Sequence, residues 1–474
     1  MDELEKRISL IVERVLEELM AQQGVPVSPS LIQSSKAGIS TGTTGIFNNV
    51  QEALVAAREA QRKLVSLSIT KREAIIASMR AAALAEAEHL ARMAWEETGL
   101  GRFEDKIAKN KYAAELTPGI EDLPTETYYG PEETVIVEYG PYGLTASITP
   151  VTNPTSTVIN HAIGLLAGGN SVFFAPHPNS KKCVQETIKI LNRAIIEAGG
   201  PANLIVTVAE PSLEKVQEVL KYDDVKLVIA TGGAGLVKAA LASGKKCVAG
   251  GPGNPPVVVD ETADLKLAAK AITAGASFDN NILCTCEKVL IVVDLIAEDF
   301  LQEMLKGPVV YLDTGEGERL TKTLIENGHI NKKFVGKNPS VILQTIGKKV
   351  DDSVRLIVME TAPEHPLVQL EQLMPVLPIV RVNDFETAVK MAKEIEHGFR
   401  HTASIYTNDL TRVTKYAEIM EVTLLLHNKP SFAGLGVNGA GKYTSTLAGP
   451  TGEGVTTART FTRQRRYVAP NCAL

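Results

Sequence analysis

Two closely spaced cysteines, Cys284 and Cys286, lie near the end of residues 274–288 (AGASFDNNILCTCEK), where small and polar residues run directly into an apolar strand-like stretch. A thiolate at such a junction is stabilised by polar backbone and can act as a nucleophile, whereas a cysteine in an apolar core stays protonated and inert. The buried structural role is the commoner one for an arbitrary cysteine. The pair also invites a metal reading. A structural zinc site draws on about four ligands with short spacers, and no partner CxxC or HxxxH pair is present, so no metal is expected.

Two further segments carry chemistry. Residues 147–170 (SITPVTNPTSTVINHAIGLLAGGN) put Asn153 between a strand end and a helix, where its amide N–H could donate to a developing oxyanion, or where Asn153 and Thr155 could simply cap the helix. Residues 226–241 read as a strand, the turn Thr231-Gly232-Gly233-Ala234-Gly235, and a helix. Glycines there let a phosphate approach backbone N–H groups at the positive helix end, although the turn is not the GxGxxG fingerprint and a tight turn alone would also use them.

The elements around these segments specify an α/β chain. Alanine-rich stretches between 48 and 123, such as 72–98, read as long helices ending at Gly99 and Gly101. A hairpin is expected at 127–139 around Gly130-Pro131. Short β-branched runs at 144–148, 171–175, 204–208, 226–230 and 256–259 alternate with helical segments, and a second set follows near 289 and at 309–312, 378–382, 404–406 and 423–425. Such alternation implies βαβ units and parallel sheets, hence two Rossmann-like α/β lobes. Ahead of them Leu4, Ile8, Ile11, Val12, Val15, Leu16 and Leu19 form one apolar helical stripe, followed by a Pro-, Gly-, Ser- and Thr-rich stretch that reads as a linker. The helix could pack on its own body or, through that linker, dock on a partner.

The expected divisions are an amphipathic helix at 1–20, a linker at 21–47, a nucleotide-binding domain from 48–124 and 143–255, and a catalytic domain at 256–430. Residues 125–142 and 431–474 would form a β arm and C-terminal segment.

A length of 474 residues exceeds what one core usually serves, which agrees with this division. The net charge of −6 gives no reason to expect nucleic acid. Five scattered cysteines are not a disulfide framework, and the reducing cytosol fits them. No apolar run reaches the ~18 residues needed to cross a bilayer, and the acidic start lacks the basic and apolar regions of a signal peptide, so no membrane partner and a cytoplasmic location are expected.

Taken together in this order, SFDNNxxC at 277–284, EHP at 364–366, QLMPVLP at 372–378 and GPTGEGxTTARTFTRxRR at 449–466 resemble the aldehyde dehydrogenase superfamily. The likeness is to its CoA-acylating propionaldehyde and acetaldehyde dehydrogenases of bacterial microcompartments, over nearly the whole chain. That resemblance implies an aldehyde dehydrogenase-like fold with a β oligomerisation arm, a dimer or tetramer, and oxidation of a short-chain aldehyde with NAD and coenzyme A. By it Cys284 is the nucleophile, with Cys286 in reserve, and Asn153 joins the Cys284 backbone N–H in an oxyanion hole. Thr149, Pro150, Pro176, Thr231, Gly232 and Gly233 would lie along the dinucleotide and Glu371 at its nicotinamide ribose. The helix at 1–20 would address the enzyme to shell protein in a microcompartment lumen. In the hydrolytic branch a water-activating glutamate precedes a GGxxP-like stretch, but the positions before Gly250-Gly251-Pro252 are Val248 and Ala249, which favours a thiol acceptor over water. The rivals are a hydrolytic enzyme giving the free acid and a non-catalytic scaffold on the same fold.

Overall fold

The β-branched runs form two separate sheets in a computed structural model that describes residues 44–471. The helix expected at 1–20 and most of the linker lie outside the described residues. The first sheet has six parallel strands, in spatial order Ile46–Phe47, Ile205–Val208, Ser171–Pro176, Leu144–Thr149, Val225–Thr231 and Lys246–Gly250. The second has seven, also parallel: Val309–Leu312, Leu356–Glu360, Val376–Val382, Val289–Val293, Pro256–Val259, Thr402–Tyr406 and Leu424–His427. Sheet membership therefore changes between residues 250 and 256. Both sheets are covered on two faces, which is why strands such as Val289–Val293 are buried at every position and read as continuous apolar runs.

Two expectations are corrected. The linker expected to extend to residue 47 ends earlier, because Ile46–Phe47 pairs with Ile205–Val208 as an edge strand. The helix expected across 72–98 is two helices, Ile69–Ala85 and Ala87–Thr98, broken at Glu86 (φ −101°, ψ 10°). The expected stop holds: Gly99 closes the second helix at φ +62°, a left-handed cap that glycine adopts without steric cost. The hairpin is Glu126–Tyr129 with Glu133–Pro141, and Thr462–Pro470 adds a third antiparallel strand to make an arm.

In the first sheet, after the edge strand Ile46–Phe47, the chain returns at the central strand Leu144–Thr149, moves outward through two strands, then crosses back to Val225–Thr231 on the other side. The carboxyl ends of those two strands define a topological switch point, the place where open α/β sheets bind ligands. Helix Pro154–Ala167, which starts there, is buried along its whole length. Its polar residues are all the more constrained because an unpaired buried polar group costs ~1–3 kcal/mol. His161 bonds Ser147 Oγ (2.8 Å) and Thr446 Oγ1 (2.9 Å), Asn160 donates to Thr117 Oγ1 (2.9 Å), and Thr155 donates to Asn110 Oδ1 (2.7 Å). Burial pushes the His161 imidazole down to about 3, so it is a neutral strut that fixes the register of the helix, and with it Asn153 at the helix start.

Candidate active site

Helix Leu265–Ser277 ends in a turn where three consecutive residues are left-handed: Asp279 (φ +46°), Asn280 (φ +54°) and Asn281 (φ +64°). Only Gly, Asn and Asp visit that region readily, which gives the DNN of the SFDNNxxC motif a backbone reason. The surroundings hold the turn in place. Asn280 Nδ2 donates to Gly336 O (2.9 Å) and Asn338 Oδ1 (2.8 Å), and Asn281 Nδ2 donates to Ala276 O (2.7 Å) and Glu287 O (2.9 Å). Buried Lys288 donates to Asn281 O (2.8 Å), Asn281 Oδ1 and Leu283 O (3.1 Å). Asp279 accepts the Arg102 N–H (2.6 Å) and pairs with Lys106 (3.3 Å) and Lys109. Strain of this kind, overdetermined by its neighbours, is typical of functional sites.

The turn delivers the two cysteines to different environments. Cys286 is fully buried in an apolar cluster with Ile282, Leu283, Leu424, Leu426, Leu435 and Leu447, and burial drives its thiol far above the ordinary range. Cys284 is partly exposed and lines a small cleft with Asn153, Lys109, Tyr443 and Ser445. Its own backbone N–H and that of Thr285 face the sulfur. Enclosure pushes the Cys284 thiol up to about 12, the charge of Glu371 pushes it in the same direction, and Lys288 opposes both. The resting nucleophile is therefore a thiol.

Asn153 occupies the N-cap position of helix Pro154–Ala167 but makes no side-chain cap bond. Its Oδ1 accepts Lys109 Nζ (2.5 Å) and its Nδ2 donates to Thr152 Oγ1 (3.1 Å), so the amide is oriented toward the cleft rather than spent on the helix end. Glu371 lies close enough to Cys284 and Lys288 to influence both, accepts Gly253 N–H (3.4 Å), and is pushed up by burial.

The remaining predicted residues fall along the switch point. Thr149 and Pro176 are register partners at the ends of adjacent strands, with Pro150 directly after. Thr149 is buried and its Oγ1 has no partner, a donor left for a ligand. Thr231 ends the next strand and bonds Thr446 Oγ1 (3.0 Å). Gly232 and Gly233 follow, and Gly233 is the N-cap of helix Ala234–Ala242 with open space where a side chain would stand. An anionic diphosphate fits that helix start, and the orphaned Thr149 hydroxyl and open glycine turn suit a dinucleotide lying across this edge. Among the described residues no group of three or more His, Cys, Asp or Glu is placed to hold a metal. Val248 and Ala249 are fully buried strand residues, so neither position supplies a carboxylate.

Sequence reasoning missed three side chains at the site: Lys109, Lys288 and His401. Buried His401 bonds Thr402 Oγ1 through Nδ1 (2.8 Å) while Nε2 has no partner, and burial pushes its imidazole down to about 4. A Cβ on Gly253 would meet Cys284 O at 2.8 Å and His401 Cγ at 2.9 Å, so the ring lies beside the nucleophile loop and glycine is required between them.

Known proteins share this sequence pattern and fold. The model of the aldehyde dehydrogenase family matches residues 33–463. The acetylating acetaldehyde dehydrogenase EutE of Salmonella typhimurium is 44% identical over 92% of this chain and 94% of its own. A propionaldehyde dehydrogenase from the fucose utilisation bacterial microcompartment of Clostridium phytofermentans superposes with a TM-score of 0.88 at 42% identity, over 90% of this chain and 98% of the other. The propionaldehyde dehydrogenase of Rhodopseudomonas palustris, solved with bound CoA and an acylated cysteine, gives 0.89 at 41% identity over 90% and 98% of the two chains. By sequence and by fold, the chain belongs to the aldehyde dehydrogenase family.

Proposed function

We propose that the protein oxidises a short-chain aldehyde, propionaldehyde or acetaldehyde, with NAD and passes the acyl group to coenzyme A through a thioester on Cys284. The observation that carries this reading is the cleft itself: a partly exposed thiol, two backbone N–H groups and the Asn153 amide converge there, and Val248 and Ala249, before Gly250-Gly251-Pro252, bring no carboxylate to it. The acetylating activity of the Salmonella relative and the acylated cysteine of the Rhodopseudomonas structure support it.

Thr149, Pro150, Pro176, Thr231, Gly232, Gly233 and Glu371 would hold a nicotinamide dinucleotide, which would supply the hydride acceptor. Partly exposed Cys284 releases its proton to solvent and adds as the thiolate to the aldehyde carbon, whose π electrons move onto the oxygen. Asn153 Nδ2 and backbone N–H stabilise the oxyanion, a donor set whose members are each worth ~10²–10³-fold in rate. Loss of hydride leaves the acyl thioester. The incoming thiol attacks that carbonyl in the same oxyanion hole while His401 Nε2, neutral and unpartnered, takes its proton, and the tetrahedral adduct collapses by breaking the bond from the acyl carbon to Cys284 Sγ, releasing acyl-CoA and the Cys284 thiolate. The test is NADH formation from propionaldehyde and NAD with and without CoA. Sustained turnover only with CoA is expected; sustained turnover without it, giving free acid, would replace this reading with the hydrolytic one.

Two assignments of assembly accompany the activity. Residues 1–20 bind a microcompartment shell protein through Leu4, Ile8, Ile11, Val15 and Leu19, placing the enzyme in the compartment lumen, as the Clostridium relative's origin suggests. Deleting residues 1–24 should spare turnover and abolish co-assembly with shell protein; unchanged co-assembly refutes it. The three-stranded arm, with exposed Tyr129, Tyr467 and Val468, joins subunits into a dimer or tetramer, which sedimentation of the purified chain measures directly.

A further inference from the structure

Lys109, on helix Phe103–Leu116, places its ammonium between two groups contributed by different parts of the site. It donates to Asn153 Oδ1 at the end of the first sheet and to the Asp279 carboxylate in the left-handed turn that carries Cys284. Its side chain is only 6% exposed, yet it lines the same cleft as Cys284 and Asn153. An ammonium has donors and no acceptor, so the Asn153 atom turned toward it must be the carbonyl oxygen. The amide nitrogen then faces the other way, where one N–H meets Thr152 Oγ1 at 3.1 Å and the second is left for the cleft. Without the lysine the two ends of the amide differ little in shape, and rotation about the terminal torsion would present an acceptor where the oxyanion needs a donor. A cation on the carbonyl side also polarises the amide and strengthens its N–H groups as donors.

We infer that Lys109 is a positioning residue for catalysis: it fixes the Asn153 amide with its N–H toward the cleft and, through Asp279, sets the distance between that donor and the Cys284 loop. The inference rests on the reading of Asn153 as the oxyanion donor. Lys106 provides an internal control. It pairs with the same Asp279 and donates to Thr152 O (3.4 Å), but Asn153 Oδ1 takes its bond from Lys109. Both lysines are buried partners of one carboxylate, and the catalytic effect is assigned to Lys109.

The test compares Lys109→Met, Lys109→Arg, Lys106→Met, Asn153→Ala and the double variant Lys109→Met/Asn153→Ala in the full chain. Three readouts are taken: kcat and KM for propionaldehyde with NAD and CoA, thermal stability, and the rate at which iodoacetamide alkylates Cys284, followed by mass spectrometry. Asn153→Ala is expected to lower kcat by about 10²-fold and Lys109→Met by roughly 10- to 10²-fold, with KM changed less than kcat. Lys109→Arg restores most of the loss. Because the lysine acts through Asn153, the double variant should fall within about threefold of Asn153→Ala alone. Cys284 alkylation in Lys109→Met should stay within about threefold of wild type, since an intact thiol loop is what separates positioning from collapse. Lys106→Met should lower stability without the loss of kcat. The inference is overturned if Lys109→Met turns over like wild type while Asn153→Ala does not, if the two losses multiply, or if alkylation falls in step with turnover. A fully active Asn153→Ala would instead remove the oxyanion reading itself, and this inference with it.

Discussion

Replacing Asp279 tests how the nucleophile loop is held. Its carboxylate is completely buried, accepts the Arg102 N–H at 2.6 Å, and faces Lys106 at 3.3 Å as well as Lys109. Both lysines hold it well below the usual carboxylate range despite the opposing effect of burial. Asp279→Ala leaves two buried ammonium groups facing each other without a counter-charge, and breaking a buried pair from one side costs about 3–5 kcal/mol. Alanine must also keep φ +46° and ψ +41°, a conformation that costs an ordinary L-residue roughly 1–2 kcal/mol and that aspartate tolerates through local hydrogen bonding. The two terms together predict about 4–7 kcal/mol. Asp279→Asn removes the charge but keeps an acceptor for Arg102 and a side chain suited to the left-handed region, so it should cost about 1–2 kcal/mol less than alanine. Urea unfolding followed by the fluorescence of Trp95, the chain's single tryptophan, gives both numbers if the urea dependence is unchanged between variants. Lys106 adds a pH signature. Burial holds its ammonium down to about 8, so at pH 9 it can lose its proton cheaply and the penalty of either substitution should shrink. An Asp279→Ala protein within about 1 kcal/mol of wild type at pH 7, or one more stable than Asp279→Asn, refutes the reasoning.

Cys284→Ala should abolish acyl-CoA formation, whereas Cys286→Ala, in an apolar cluster, should keep most turnover and lose about 1 kcal/mol of stability to a small cavity; activity in the first variant removes the assignment. Glu371→Gln and Lys288→Met should change Cys284 alkylation at pH 7.5 in opposite directions, faster in the first and slower in the second, because the carboxylate raises and the ammonium lowers the thiol; shifts of the same sign contradict this. Glu287, buried against Ser431, is pushed up to about 7 from an ordinary 4.5, so between those pH values the folded protein holds a proton that the unfolded chain has released. The stability this supplies is complete below about pH 4.5 and is lost as pH rises through 7, up to about 3 kcal/mol. Glu287→Gln should flatten the urea midpoint between pH 5 and 8, and an unchanged slope would show that the group titrates elsewhere.

Most of the two sheets was legible because strands buried on both faces are short β-branched runs, as at Pro256–Val259 and Val309–Leu312, where the expected bounds are those observed. Ile46–Phe47 is too short to carry a pattern, and Lys246–Gly250 and Leu356–Glu360 are apolar runs whose periodicity does not separate strand from helix. The break at Glu86 left no trace because no glycine or proline marks it. Within the site, Cys284, Asn153 and the Thr231 turn sit at element junctions, where residue type and position together signal chemistry. Lys109 and His401 do not. Lys109 finds Asn153 at a separation of 44 residues and Asp279 at 170, and such pairings have no local signature.

The two sheets meet across this site. Helix Phe103–Leu116 packs on Pro154–Ala167 of the first lobe, while Lys106 and Lys109 on it grip Asp279 beside the second. That grip rivets the floor of the cleft, so the lobes cannot swing apart there without exposing buried charge. By contrast, the turn Thr231-Gly232-Gly233 and helix Ala234–Ala242 leave open space around Gly233 and Gly235. The site thus joins a base tied by buried charge to a strand end where missing side chains leave room for a ligand.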